Sequence, residues 1–453
     1  MSETAIDPRE LEGGLKRVIG RRMLMLFVVG DILGAGIYAL VGQVAGEVGG
    51  AVWVPFLVAF VLAALTATAY AELVGKYPQA AGAALYTNKA FGIPFVTFIV
   101  AFAVMMSGIT SASAAARAFG GKYLAEFVSL PTLVGALFFL ALVTLVNFAG
   151  ISESIKVNVV LTLIEAFGLL VIMVIGVFAL VSGDGEPSRA LDFHPANGAF
   201  LGVLGGTALA FYALLGFEDS VNLAEEAKEP ARDFPRALFG GLAITVVIYI
   251  AVAFTATMLV DTKTLESSTG PLLEVVKVAG LSFPPKLFAL IALLAVGNTA
   301  LINMIMASRL VYGMARERIV PRVFAVTHPT RATPWAAILF TVALAVILVS
   351  TGDISGLADT TVLLLLFVFA LVNICVLVLR REPVEHDHFR APTWMPALGA
   401  VSCLFLTLPI TGREGEVYLR AAILIGIGVL LWIVNRLIVG RVEKIDAGRI
   451  DSE

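Results

Sequence analysis

The sequence predicts an all-α polytopic membrane protein of twelve transmembrane helices, and three observations predict it. Of 453 residues 59% are apolar and only 14% are charged, whereas water-soluble domains carry about 45–50% and about 25%. Mean hydropathy is +0.95, and the apolar residues gather into runs of about 20, the length a helix needs to cross roughly 30 Å of hydrocarbon. No run alternates as a barrel strand does, and hydrocarbon admits only helices or closed barrels.

In chain order the spans are expected at about 23–46, 52–75, 92–116, 131–150, 157–182, 199–224, 237–260, 285–312, 335–351, 357–379, 394–411 and 417–436. Residues 1–22 and 437–453 are polar tails, too short for a soluble domain. The first run follows Arg21-Arg22 without a small-residue cleavage site, so it reads as a retained span. The arginine pair reads as its cytoplasmic anchor rather than as a twin-arginine export signal. With both termini placed inside, 23 of the 31 lysines and arginines fall on the inner side, as the positive-inside rule requires of an even number of spans. Trp53, Trp335, Trp394 and Trp432 fall near span ends, where interfacial aromatics sit. The outer loop at about 261–284 is polar, with a short surface helix expected at Pro271 to Val278.

Two segments depart from plain apolar helix. The first span holds Gly30-Asp31-Ile32-Leu33-Gly34-Ala35-Gly36-Ile37-Tyr38, and the sixth holds Phe211-Tyr212-Ala213-Leu214-Leu215-Gly216-Phe217-Glu218-Asp219. A glycine costs roughly 1 kcal/mol of helix propensity, and an aspartate at a helix centre about 2.5–3.5 kcal/mol on insertion scales. Gly30 and Gly34 also fit the spacing by which small residues pack membrane helices closely. Against packing alone stands the pairing: Gly36 and Gly216 lie in the first helix of each of two five-span halves. Interrupted helices at matching places in two halves point to a midplane solute site. Unwound backbone is tolerated at that depth only where it lines a cavity. Its freed N–H groups, aided by the half-helix dipole, suit a carboxylate, and its freed carbonyls suit an ammonium or a cation.

At these residues the chain resembles the amino acid–polyamine–organocation superfamily of transporters, over nearly its whole length. The resemblance rests on Gly34-Ala35-Gly36-Ile37-Tyr38. It rests equally on Gly216-Phe217-Glu218 followed by Leu223-Ala224-Glu225-Glu226-Ala227-Lys228-Glu229-Pro230 and Phe234-Pro235-Arg236-Ala237. Ser308 to Arg316 and Phe389-Arg390-Ala391-Pro392 are similar to further family patterns. It implies a ten-helix core at 23–380, made of two inverted five-helix repeats at about 23–182 and 199–380. Two peripheral helices at 381–436 complete it, and spans one and six are discontinuous. It implies that a substrate carboxylate meets the amides around Gly34, Ala35, Gly36 and Ile37. The ammonium would meet carbonyls near Ile32 and from Phe211 through Tyr212 and Ala213 to Leu215, next to Gly216. Tyr212 falls where relatives place a covering aromatic, Glu218 matches a carboxylate tied to gating or proton linkage, and Thr299 and Asn303 fall near pocket positions. One departure stands out: where many relatives carry a lysine that stands in for sodium, this chain has Glu165.

The intramembrane carboxylates admit two readings each. Asp31 and Glu165 fall at comparable depth on adjoining spans, so one of them is expected to carry a coupled proton; alternatively each bonds to hydroxyls or backbone, as Glu165 would with Thr162. Glu218 and Asp219 are expected either to act in gating or to cap the second half-helix. Arg309 should snorkel to the inner surface. Glu225, Glu226, Lys228, Glu229, Arg232 and Asp233 read as a salt-bridged structural loop.

Cys375 and Cys403 fall inside spans, so no disulfide framework is expected. His194, His328, His386 and His388 fall in loops, and the chain has no Walker lysine motif, Gly-x-Ser-x-Gly elbow or His-Glu-x-x-His helix. No enzyme activity, cofactor, metal or nucleic acid partner is therefore expected. The expected function is proton-coupled import of amino acids across the plasma (inner) membrane by alternating access, with both termini cytoplasmic. The expected partners are a small-molecule substrate, a proton and the bilayer. The alternatives are an exchanger, a cationic amine carrier, or a receptor or channel.

Overall fold

A computed structural model describes residues 19–79, 82–149, 155–195, 198–224, 226–281, 283–328 and 333–439. Most of both polar tails and Glu225 of the charged loop lie outside the described residues. Among those described, the chain is helical, with two isolated β-bridges and no strand.

The first run forms α1 (Arg21–Ile32) and α2 (Ala35–Val48), and the second forms α3 (Trp53–Lys76). A short helix that hydropathy did not single out, α4 (Gly82–Phe91), precedes α5 (Pro94–Ala118). The end of α5 widens into a π-turn at Phe119–Tyr123. Next come α6 (Thr132–Ala149), α7 (Ile155–Ser182) and α8 (Ala199–Ala213), then a 3-10 turn at Asp219–Leu223 and α9 (Pro230–Leu259). Small helices α10 (Thr262–Ser267) and α11 (Pro271–Val278) lead to α12 (Pro285–Arg316). The chain ends with α13 (Trp335–Thr351), α14 (Ile354–Leu379), α15 (Trp394–Leu406) and α16 (Gly415–Val439). Eight of these helices are long and apolar enough to cross a membrane, α1 and α2 pass the same test as one bent pair, and α8, α13 and α15 are shorter apolar helices.

Local chemistry explains several ends. Pro94, Pro230, Pro271 and Pro285 open their helices, where a missing N–H costs nothing and φ is already set. That is why α9 begins at Pro230 rather than at the expected 237, taking Arg232 and Asp233 out of the loop. Asp353 caps α14 by accepting from the Gly356 amide at 3.2 Å.

The helix α5 packs against α12 and α14, while α9 lies along α1 and α3. Outward faces of α6 and α7 carry exposed Leu145, Val177 and Val181, a surface suited to lipid and not to water. Helix α11 corrects the expectation of a surface helix: Leu272, Leu273 and Val275 are fully buried, and it packs on α2, α9 and α12. At the other end of the molecule, the Ile19 amide donates to the Glu226 carbonyl (2.9 Å) and the Lys228 amide to the Ile19 carbonyl (3.0 Å). The segment entering α1 is thereby stitched to the segment leaving the sixth run.

Candidate functional site

Between α1 and α2 the axis turns by 45°. Leu33 keeps helical dihedrals, whereas Gly34 sits at φ −48° and ψ −150°. The sixth run breaks as well. Helix α8 ends at Ala213, and Gly216 holds φ +115°, a conformation that side chains disfavour. The two interruptions abut. A Cβ on Gly216 would lie 2.6 Å from the Asp31 carbonyl oxygen, and one on Gly36 would lie 2.4 Å from Ala213 Cα. Gly30 faces Thr162, and Gly34 faces Thr299, just as closely, with added Cβ atoms 2.0 and 2.3 Å from their hydroxyl oxygens. Close packing and an open backbone are therefore one arrangement here, not alternatives.

The backbone groups freed at the breaks find side-chain partners. Ala35 donates its amide to Thr299 Oγ1 at 2.9 Å, Tyr249 donates its hydroxyl to the Ile32 carbonyl at 2.6 Å, and the Gly216 amide donates to Glu218 Oε2 at 2.9 Å. In this structure the Ala35 amide and the Ile32 carbonyl, both expected to face a solute, are each held by a side chain from another helix. Glu218 caps the break by reaching back two residues. Gly36 and Ile37 lie in the first turn of α2, whose amides a helix start leaves without an intrahelical acceptor.

Asp31, Ile32, Gly34, Ala35, Gly36, Tyr212, Ala213, Leu215, Gly216, Glu218, Thr299 and Asn303 line one cavity of about 80 Å³. Ile37 and Phe211 do not line it. Both are buried in packing, Phe211 with its ring 6.1 Å from that of Phe369. The opposite wall comes from residues that sequence reasoning missed: Ser107, Gly108 and Ser111 on α5, Asn298 and Met306 on α12, and Thr361 on α14. Tyr212 meets Ser111 hydroxyl to hydroxyl at 3.0 Å, and Thr361 meets Thr110 at 2.7 Å. The small and polar residues at 107, 108 and 111, three and four apart within an apolar run, were the available signal. The carboxylates lining this cavity are Asp31, Glu218 and Asp219, with no lysine or arginine among its lining residues.

A second cavity, of about 310 Å³, shares those three carboxylates. It runs past Phe27, Ala83 and Leu223 to Arg309, on the side where α1 begins. The far side is covered. The Leu265 carbonyl of α10 lies against Gly42, where a Cβ would be 2.0 Å away, and α11 is tied to the end of α5 by Lys122–Glu274 (2.6 Å) and Lys277–Glu126 (2.5 Å).

Glu165 does not line the first cavity. It is 1% exposed on α7, behind the break, and its Oε1 accepts from Asn298 Nδ2 at 3.4 Å. The Tyr38 hydroxyl donates to its backbone carbonyl at 2.7 Å. The expected alternative partner fails, because Thr162 Oγ1 is buried and makes no hydrogen bond among the described residues.

A many-helix apolar bundle with a carboxylate-lined cavity between two interrupted helices defines a multi-pass membrane protein that handles a small solute. Comparison places it further: the chain belongs to the amino acid permease family, which it matches over residues 19–431. It is 29% identical over 452 residues to an uncharacterized transporter of Mycobacterium tuberculosis, covering 98% of this chain and 97% of the relative. It is 31% identical over 353 residues to a chloroplastic cationic amino acid transporter of Arabidopsis thaliana, covering 73% of this chain and 60% of the relative. To a branched-chain amino acid permease of Bacillus subtilis it is 27% identical over 421 residues, covering 88% and 89%. The family and these relatives are transporters.

Proposed function

We propose that this chain imports amino acids across the plasma membrane by proton-coupled secondary transport, with both termini cytoplasmic. In this reading its helices make twelve spans: the α1–α2 pair, the eight long helices and α8, α13 and α15. The first ten form two inverted repeats around the cavity. The single observation that carries the reading is the meeting of the two interrupted helices, Gly216 on the Asp31 carbonyl and Gly36 on Ala213. A cavity bounded by a helix start and by carbonyls and carboxylates offers an α-amino acid both of the charges it needs.

The substrate carboxylate goes to the first turn of α2, with Tyr212 covering it, and the ammonium faces Asp31 and the end of α8. The second cavity is the route to the cytoplasm, and α10 and α11 close the outer side. Alternating access exchanges these two conditions around a fixed site. Glu165, held by Asn298 behind the break, carries the coupled proton. The substrate classes in the names of the Arabidopsis and Bacillus relatives support an amino acid as cargo.

One observation favours a second reading, a carrier or exchanger of cationic amines: three carboxylates and no cationic side chain line the inner cavity. Uptake of a radiolabelled amino acid and amine panel into proteoliposomes, at two pH values and with or without internal substrate, separates the two. Saturable uptake of amino acids driven by an inward proton gradient supports import. Flux only with internal substrate supports exchange, and unsaturable conductance refutes both.

A further inference from the structure

We propose that the Thr299 hydroxyl competes with the substrate carboxylate for the Ala35 amide, so that amino acid binding unties α2 from α12. This rests on the reading above that the carboxylate goes to the first turn of α2.

The Ala35 amide has one proton and serves one good acceptor at a time. Thr299 Oγ1 holds it at 2.9 Å across 264 positions of sequence, which makes this bond a direct tie between the helix break and α12. The tie depends on Gly34, since any Cβ there would stand 2.3 Å from the same oxygen. Its geometry is also braced from behind, because Asn303 Nδ2 donates to the Thr299 carbonyl at 2.9 Å.

Two features make the hydroxyl replaceable. A carboxylate is the stronger acceptor, since charge-assisted hydrogen bonds are about twice as strong as neutral ones. The hydroxyl also does not become an orphan when displaced. It already points its proton toward the Ala295 carbonyl one turn back at 3.4 Å, the helical partner that threonine commonly uses, and a small rotation shortens that bond. Displacement therefore costs one neutral hydrogen bond, and that cost is subtracted from substrate affinity. Thr299 in this account is a positioning residue that sets affinity and links occupancy of the site to release of α2.

The test compares Thr299→Val, which keeps the shape and removes the hydroxyl, with Thr299→Ser, which keeps the hydroxyl. In reconstituted protein without added ligand, hydrogen–deuterium exchange of the amides at 35–37 should quicken about fivefold in Thr299→Val, as expected for one lost hydrogen bond, and stay unchanged in Thr299→Ser. Equilibrium binding then uses L-leucine and L-arginine beside isopentylamine and agmatine, their counterparts lacking the carboxylate. The amino acid that the wild type binds should bind Thr299→Val about three- to fivefold more tightly, with the amines unaffected. Thr299→Ala serves the same purpose if Thr299→Val does not fold.

Unchanged exchange overturns the proposal whatever the cargo is. Faster exchange with equal or weaker amino acid binding overturns competition and leaves Thr299 a plain helix tie. If the wild type binds neither amino acid, the amino acid reading fails and takes this proposal with it, an outcome distinct from the other two.

Discussion

Arg380 grips Glu72 with two parallel bonds, Nε to Oε1 at 2.7 Å and Nη2 to Oε2 at 2.6 Å, across 308 positions of sequence. The side chains are 11% and 3% exposed. The pair joins the end of α3 to the end of α14 and holds the following segment, because the Ala391 amide donates to Glu72 Oε2 and Arg380 donates to the Ala391 carbonyl. Removing one partner of a buried pair strands the other, at a cost of about 3–5 kcal/mol. Glu72→Ala and Arg380→Ala should each lower the unfolding midpoint in nanodiscs by a comparable amount. Arg380→Lys should rescue little, since an ammonium cannot form the fork. Equal stability of Arg380→Lys and wild type would refute this account.

Gly216 and Gly183 both carry positive φ, +115° and +79°, but only Gly216 has a neighbour where a Cβ would go. Gly183→Ala should cost only the backbone penalty, about 1–2 kcal/mol, and leave uptake intact. Gly216→Ala adds a collision with the Asp31 peptide and should abolish uptake even in protein that reaches the membrane. Comparable uptake rates for the two variants would show that the contact between breaks is unimportant.

Replacing Glu165 with Gln keeps the side-chain shape and an oxygen for Asn298 while removing the ability to ionise. Proteoliposomes with Glu165→Gln should lose acceleration of uptake by an inward pH gradient, yet retain exchange of internal for external substrate. Full pH-driven uptake in this variant would remove Glu165 from the coupling role.

At the end of α12 the Ile319 amide bonds the Met314 carbonyl and the Arg318 amide bonds the Ala315 carbonyl, which leaves Arg318 at φ +60°. This is the pattern that glycine normally serves. Arg318 is exposed, and Asn435 of α16 reaches only its backbone carbonyl. Arg318→Gly should therefore raise stability by about 0.5–1 kcal/mol, the left-handed penalty less the extra freedom of an unfolded glycine. Differential scanning fluorimetry in nanodiscs reads the sign directly.

Helices in this chain were legible because hydrocarbon demands long apolar runs, so α3, α5, α7 and α12 begin and end within a few residues of their expected positions. Helix α4 was missed because it has only ten residues, too few for a span, and Asn88 and Lys89 break its apolar pattern. The interruptions at Gly34 and Gly216 were legible because glycine beside a carboxylate is costly at mid-membrane. What the open backbone bonds to was not. Tyr249 and Ser111 lie on intact helices, and one sequence does not say which face of such a helix turns toward a neighbour. Thr299 was placed near the cavity by the family resemblance, but its bond to Ala35 depends on how closely α12 approaches, which the packing at Gly34 sets.

The backbone stitch at Ile19 has a practical use. Gly20 follows it immediately, and a side chain added there would meet nothing within 4 Å. A spin label or fluorophore on a cysteine at that position would ride on both interrupted helices at once. A single labelled site, outside the lining of both cavities, would report on the movement of those helices without touching a bound solute.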